Sequence, residues 1–275
     1  MFYNCFMIYI LLIVIVLYLF AIYPNTSRKD ILKPYSDVFI AHRGLFNNQD
    51  VPENSILAFK LAVENGYGIE LDTQITKDDK IVVFHDGNLK RMTGIDKMLI
   101  DCTYEELQSY RLLDTNERIP LFSDVLKVLD KKTPLIVEVK GEGRNILNTK
   151  LTVEMLRNYD GLYNMESFVP NVVYYLKKNE PDIIRGQLAT DNTFNKNSKN
   201  PILIKFLCSN LLFSFLNKPD YIAYDCTKVN NLSFKIVSKL YKGSCVAWTV
   251  KSQEQYDKIK EYYDVFIFDS YIPKR

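Results

Sequence analysis

The chain has 275 residues, 47% hydrophobic and 25% charged, with a formal net charge of +2. This balance excludes a disordered or fibrous chain, and its near-neutrality leaves no electrostatic footprint for nucleic acid. The sequence carries no glycine-rich loop of the dinucleotide or P-loop type and no internal repeat of fixed period.

From Met1 to Tyr23 no side chain is charged and neither Gly nor Pro occurs; Asn4 is the one strongly polar residue. At about 1.5 Å of rise per residue, a helix of this length can cross a hydrocarbon core of about 30 Å. A cleaved signal peptide would carry a basic n-region, a shorter apolar run and an A-x-A site. A core helix would have a polar face. The expectation is a permanent transmembrane anchor over residues 1–23 and a linker over 24–36. No Lys or Arg precedes the span, while Arg28, Lys29 and Lys33 follow it. The positive-inside bias therefore favours a single-pass protein of the cell membrane with its globular part in the cytoplasm. Cys102, Cys208, Cys226 and Cys245 show neither disulfide nor zinc spacing, which leans the same way.

Residues 37–275 alternate strand and helix patterns, as one large α/β domain does. "DVFIAHRG" (Asp37 to Gly44) reads as a buried strand. "ENSILAFKLAVENG" reads as a helix capped by Asn54, with Ile56, Phe59, Ala62 and Val63 on one face and Gly66 at its end. "GIELDTQI" and "IVVFHD" follow, then the helix "PLFSDVLKVLDKK" and the strand "PLIVEVK". Further strands are expected at "YNMESF", "DIIRGQL", "DYIAYD", "SCVAWTV" and "DVFIFD". Most are continuous apolar runs, as expected where both sheet faces are covered.

That makes nine strands, one too many for an eightfold barrel. Only twelve residues separate Asp72 from His85, with a polar turn at "KDDK". A parallel crossover needs about a dozen residues and usually a helix. "IVVFHD" is therefore expected to return as a hairpin beside "GIELDTQI". The remaining eight strands predict a (β/α)₈ TIM barrel. Residues from about 87 to 118 become an insertion, either a packing lid or a gate, whose helix "TYEELQSYRLL" has capping-box spacing at Thr103 and Glu106. "NKNSKNP" (Asn195 to Pro201) reads as a solvated loop, and "PILIKFLCSNLLFSFL" as a barrel helix or a patch on the bilayer.

Barrel active sites lie at the C-terminal ends of the strands. Those ends carry His42 and Arg43, Glu70 and Asp72, Glu138 and Lys140, Trp248 and Asp269, with the second histidine, His85, at the hairpin return. Residues two apart in a strand share a face, so Glu70 with Asp72, and Glu138 with Lys140, point the same way. Three converging acids repel unless a cation lies among them, and oxygen-only ligands suit one divalent ion, Mg²⁺ or Ca²⁺. A solvated or salt-bridged rim is the plainer reading of each pair alone.

"AHRG", "PENSILAF", "GYGIELDTQITKDDKIVVFHD", "LKRMTG", "IPLF", "LIVEVK", "ESF" and "AWTV" occur in order. Together they resemble the glycerophosphodiester phosphodiesterase family over most of the chain from about Val38 to Asp269. The resemblance implies a metal-dependent (β/α)₈ barrel that hydrolyses glycerophosphodiesters, as small molecules or derived from lipid, to glycerol 3-phosphate and an alcohol. It implies that His42 and His85 are the acid–base pair, that Glu70, Asp72 and Glu138 hold the metal, and that Arg43 and Lys140 hold the phosphate. Trp248 would pack on the glycerol carbons, or serve the core. Two departures stand out: "HRGLFNNQD" after the first strand, and "FDSYIP", whose displaced proline makes Asp269 only a weak site candidate. The alternatives are a lysophospholipase D-like or cyclising activity on membrane lysolipids, and a non-catalytic phosphate- or lipid-binding barrel.

Overall fold

A computed structural model describes residues 2–141, 143–194 and 201–274, so most of the expected "NKNSKNP" loop lies outside the described residues. Nine strands form one sheet: β1 (Ile40–His42), β2 (Gly68–Ile75), β3 (Ile81–Val83), β4 (Leu135–Val139), β5 (Tyr163–Ser167), β6 (Arg185–Ala189), β7 (Tyr221–Asp225), β8 (Ser244–Val250) and β9 (Val265–Phe268). Eight of them pair in parallel, and β1 bonds both β2 and β9, which closes the barrel. The ninth, β3, runs antiparallel to β2 with Thr73 opposite Val83, the expected hairpin return. The physical cause is the short connection: Thr76 Oγ1 bonds Asp78 and the Lys80 backbone, which turns the chain sharply.

The described helices are α1 (Phe2–Ile22), α2 (Lys33–Ser36), α3 (Ile56–Glu64), α4 (Lys90–Thr93), α5 (Tyr104–Leu107), α6 (Phe122–Leu129), α7 (Asn145–Leu156), α8 (Pro170–Asn179), α9 (Ile202–Ser209), α10 (Ser214–Asn217), α11 (Leu232–Lys235) and α12 (Gln253–Ile259). The main core lies between the sheet and these helices: Phe59 of α3, Val125 and Leu129 of α6 and Leu176 of α8 pack with Ile69, Leu71, Val137 and Ile222 of the strands. All eight residues of β2 are buried, which accounts for its continuous apolar run around two acids.

Three elements differ from the sequence reading. Ser55, not Asn54, caps α3, its side chain accepting from the Ala58 backbone N–H. Asn54 has φ +55° and turns its amide inward. The insertion helix is a single turn, α5; Thr103 does cap it, but Glu106 pairs with Lys97 rather than closing the box. It stops early because Leu107 and Leu112 both turn into a separate small core with Phe84, Leu89, Met92 and Ile119.

The third difference is the stretch read as a linker. A 3₁₀ turn (Lys29–Leu32) and α2 close the bottom of the barrel, burying Leu32 and Tyr35 against Ile40, Ile136, Ile184, Tyr221 and Val265. Arg28 anchors this plug to the Pro181 and Asp182 carbonyls and to Asp220, which precedes β7. Tyr35→Ala is expected to cost about 3 to 5 kcal/mol of stability, the range for deleting a large buried ring, as read from denaturant unfolding. A change under about 1 kcal/mol would mean that the plug is dispensable.

Helix α1 spans 21 residues with no acidic or basic residue in its terminal turns. Its described side chains begin at Phe6, and among the described residues no helix is long and apolar enough to cross a membrane. Only its last turns pack on the barrel, where Ile22 is buried.

Candidate active site

The parallel register sets His42 beside Glu70, Asp72 beside Glu138 and Glu138 beside Glu166, toward the C-terminal ends of β1, β4 and β5 and in the middle of the longer β2. Side-chain alternation then sends Glu70 and Asp72 together into the barrel mouth. His42, Arg43, Glu70, His85, Glu138, Lys140 and Trp248 line one cavity of about 160 Å³. Asp72 lies against its wall, bonded by Lys140 Nζ at 2.8 Å and approached by Arg43 Nε at 3.3 Å. The structure thus brings every residue expected at the site to one place.

Glu70, Asp72 and Glu138 are all buried and offer carboxylate oxygens within 4.8 Å of one another. Burial, and then the neighbouring Asp72 and Glu138, push the Glu70 carboxyl well above the ordinary range. Burial also raises Glu138, although Lys140 at 2.9 Å pulls the other way. At Asp72 burial is outweighed by Lys140 and Arg43, which hold it well below the usual value. Two acids are therefore short of positive charge while the third is served. An oxygen-only, buried and charge-deficient set fits a hard divalent cation. Mg²⁺ and Ca²⁺ both match the donor chemistry.

Each histidine is held by a carboxylate. His42 Nδ1 lies 3.0 Å from Asp269 Oδ2, and its Nε2 faces Glu70 at 3.9 Å. Burial lowers the His42 pKa against the pull of Asp269. His85 Nδ1 lies 2.6 Å from Asp86 Oδ1. Such a contact fixes which ring nitrogen faces the cavity. Asp269, weakly placed by the sequence, is thus the partner of His42.

Arg43 has φ +54° and is followed by Gly44 at φ +81°. A Cβ at Gly44 would meet the Ala58 backbone at 2.9 Å, so glycine lets α3 approach the loop. The turn aims the Arg43 backbone N–H at Glu70 (3.1 Å) and its guanidinium at Glu53 (2.7 Å).

Several site-supporting residues escaped the sequence reading. Asn54 donates to Asp72 Oδ2 at 2.8 Å, orienting a proposed metal ligand rather than capping a helix. Glu53 bridges Arg43 to Arg91 of the insertion, and Arg91 in turn bonds Asp86 at 2.6 Å. Glu166 lines the cavity, accepts from Tyr221 and is pushed up to about 8, mainly by burial. The signal available in the sequence was, for Glu166, an acid inside the strand pattern "YNMESF"; the polar stretch "PENS" shows no comparable pattern for Glu53 and Asn54.

Burial opposes the Glu53 charge, but Arg91, Arg43 and Asn48 outweigh it and bring its carboxyl down to about 2 from 4.5. A depressed carboxylate stabilises the fold above its unfolded value and loses that contribution as pH falls through its folded one. Glu53→Gln is therefore expected to lower the Tm at pH 7. The gap from wild type should close as pH falls from 4.5 toward 2. Thermal melts across that range check this; a gap independent of pH would remove Glu53 from the charge network.

The Trp248 indole N–H donates to the Ala223 carbonyl at 3.0 Å, and its ring meets Phe168 edge-on at 5.3 Å, forming an apolar wall. A cleft of about 1030 Å³ adjoins the cavity, sharing His85, Glu138, Lys140 and Phe168 and reaching Asn88, Lys90 and Asp96 of the insertion.

A cavity that offers fixed cations to an anion and has one imidazole at the end of β1 and another just beyond β3 suits phosphoryl rather than acyl or glycosyl chemistry. The barrel and its site define a phosphoric diester hydrolase. The model of the glycerophosphoryl diester phosphodiesterase family matches residues 42–269, and the chain belongs to that family. YhdW of Bacillus subtilis (strain 168) is 32% identical over 231 residues, covering 80% of this chain and 89% of the relative. Glycerophosphodiester phosphodiesterase 1 of Bos taurus is 29% identical over 296 residues, covering 94% of this chain and 85% of the relative. Among solved structures, an Oleispira antarctica phosphodiesterase in complex with the product sn-glycerol-3-phosphate aligns with TM-score 0.68 at 22% identity, covering 86% of this chain and 95% of that one. The glycerophosphodiester phosphodiesterase of Thermotoga maritima aligns with TM-score 0.64 at 23% identity, covering 85% and 95%. These last two likenesses speak for the barrel fold.

Proposed function

We propose that the chain hydrolyses glycerophosphodiesters to glycerol 3-phosphate and an alcohol at the cavity between His42 and His85, as a membrane-anchored enzyme of glycerophospholipid breakdown. The observation that carries this reading is the single cavity lined by both histidines, Arg43, Lys140, Glu70 and Glu138. In this reading Arg43 and Lys140 bind the phosphate, which otherwise repels nucleophiles. Glu70, Asp72 and Glu138 would hold one Mg²⁺ or Ca²⁺. When bound, that ion supplies positive charge to the phosphate oxygens as negative charge builds there. One imidazole takes the proton of the attacking oxygen, and the other returns one to the departing alkoxide, each steadied by its carboxylate partner. Trp248 and Phe168 offer an apolar wall to the glycerol carbons, and the adjoining cleft leaves room for the alcohol half.

The membrane part of the proposal rests on α1. Its side chains from Phe6 to Leu17 are exposed on every face, and none is charged. Exposing such a helix to water is costly, and lipid is its natural solvent. Positive charge after the span favours a cytoplasmic barrel. Because Tyr18 and Ile22 pack on the barrel and residues 29–36 plug it, a soluble form should begin at Tyr18, not after the plug.

The test is release of the head-group alcohol, choline or ethanolamine, from a panel of deacylated glycerophosphodiesters and lysophospholipids, with EDTA and with added Mg²⁺ or Ca²⁺; the phosphorylated product is glycerol 3-phosphate from the former and lysophosphatidate from the latter. The full chain is expected to pellet with vesicles and the form beginning at Tyr18 to stay in solution, both turning over deacylated substrate. Turnover confined to lysolipids would favour the lysophospholipase D-like alternative, and no turnover the non-catalytic barrel.

A further inference from the structure

Helix α9 is unlike the other helices around the barrel. The exposed positions of α7 include Lys150 and Glu154, and those of α12 include Glu254, Asp257 and Lys258. By contrast, α9 exposes Ile202 at 61%, Leu203 at 62%, Ile204 at 38% and Phe206 at 46%. Its one basic residue, Lys205, is half-buried and has a partner. Phe194, on the preceding segment, is 84% exposed. Adjacent large apolar side chains with a single, half-buried and partnered charge among them mark an interaction surface rather than a solvated face.

The path of α1 indicates what covers it. Asn25 donates to the Pro219 carbonyl, and Lys218 donates to the Tyr23 carbonyl, both just before β7 begins at the bottom of the barrel. One turn earlier in α1, Phe20 meets Phe215 of α10 at 5.9 Å. Earlier still, the Tyr18 hydroxyl lies 2.7 Å from Ser233 Oγ, which donates to Asn210, the residue that ends α9. Traced backward, α1 therefore leaves the bottom rim and rises to the foot of α9. From Leu17 to Phe6 it then has no buried side chain. The last residue of α9 is held at the mouth side of the barrel: Asn192, three residues past the C-terminal end of β6, donates its backbone N–H to Ser209 Oγ at 2.9 Å, and Tyr224, near the C-terminal end of β7, donates to the Ser209 carbonyl at 2.9 Å.

We propose that the exposed face of α9, with Phe194, rests in the interfacial region of the same bilayer that α1 enters, so that the mouth opens beside the lipid surface. This rests on the reading of α1 as a membrane anchor. The apolar face and the lipid-seeking helix are contiguous through Tyr18, Ser233 and Asn210, and a lipid surface satisfies both at once. Interfacial helices bury an apolar face about 5 to 10 Å into the headgroup boundary, a depth that the Ile202, Leu203 and Phe206 side chains can occupy.

The test uses Trp fluorescence of the full chain in phosphatidylcholine vesicles, with ordinary or dibrominated acyl chains. The sequence has one tryptophan, so Trp248→Phe leaves a silent background. On it, F206W reports α9, L12W reports α1, and L162W reports an exposed site just before β5, at the bottom of the barrel. Loss of emission in brominated lipid is expected for L12W and F206W and not for L162W. Quenching of L12W without F206W would overturn the proposal while leaving the anchor intact, and a blue-shifted but unquenched F206W would assign the face to a second copy of the chain. Equal quenching of all three would also overturn it, since the barrel would then lie on the membrane without a preferred face. No quenching of L12W would overturn the anchor itself and this inference with it.

Discussion

Alanine at His42 or at His85 is expected to cut turnover by about 10² to 10⁴-fold, the range for losing a general acid or base, while the unfolding transition stays close to wild type. Both rings line the cavity, yet neither belongs to the apolar core clusters, so their loss removes chemistry more than packing. The two losses should not multiply in the double variant, because a proton taken and a proton returned belong to one reaction. The carboxylate partners sharpen the test. Asp269→Asn keeps the shape of the contact with His42 but removes its charge, so it should lower turnover with little change in KM. Near-normal turnover in both alanine variants would take the histidines out of the mechanism, whatever the geometry around them.

The second large effect concerns the cation. EDTA is expected to bring turnover to background, and Mg²⁺ or Ca²⁺ to restore it. Glu70→Gln should raise the cation concentration for half-maximal activity by at least about tenfold, since even outer partners of metal ligands are worth about 10 to 100-fold. The sign follows from the electrostatics. Glu70 is pushed up by burial, Asp72 and Glu138, and Glu138 by burial and Asp72, so a cation entering among them relieves repulsion as well as gaining ligands. The same argument predicts that Glu70→Gln stabilises the metal-free protein or leaves it unchanged, because it removes one member of a repelling group. Cation titrations matching wild type would move the ion site elsewhere.

Much of this arrangement was legible because local rules and the barrel agree. Continuous apolar runs marked strands covered on both faces, and the short "TKDDK" connection after β2 forced β3 to return antiparallel. The period of two along β2 placed Glu70 and Asp72 together, and β4 delivered Glu138 beside Asp72. What escaped depends on closure of the ring. Asp269 reaches His42 across 227 residues because β9 pairs with β1, which no local pattern encodes. The same holds for Glu53 and Arg91, which lie 38 residues apart, one on the turn before α3 and the other on α4. Asn54 resembled a helix cap because Ser55, the actual cap, follows it directly; only its left-handed backbone turns the amide toward Asp72. The plug resembled a linker because Leu32 and Tyr35 lie in a charged stretch too short to show a period.

The account turns on one geometric claim, that a phosphate and a divalent cation meet between His42 and His85. A crystal structure of the Tyr18–Arg275 form grown with Ca²⁺ and sn-glycerol 3-phosphate tests it most directly. The expected map shows the cation on Glu70, Asp72 and Glu138, and the phosphate within hydrogen-bond reach of both imidazoles, Arg43 and Lys140. A phosphate bound elsewhere, or a cation away from those three carboxylates, would contradict it.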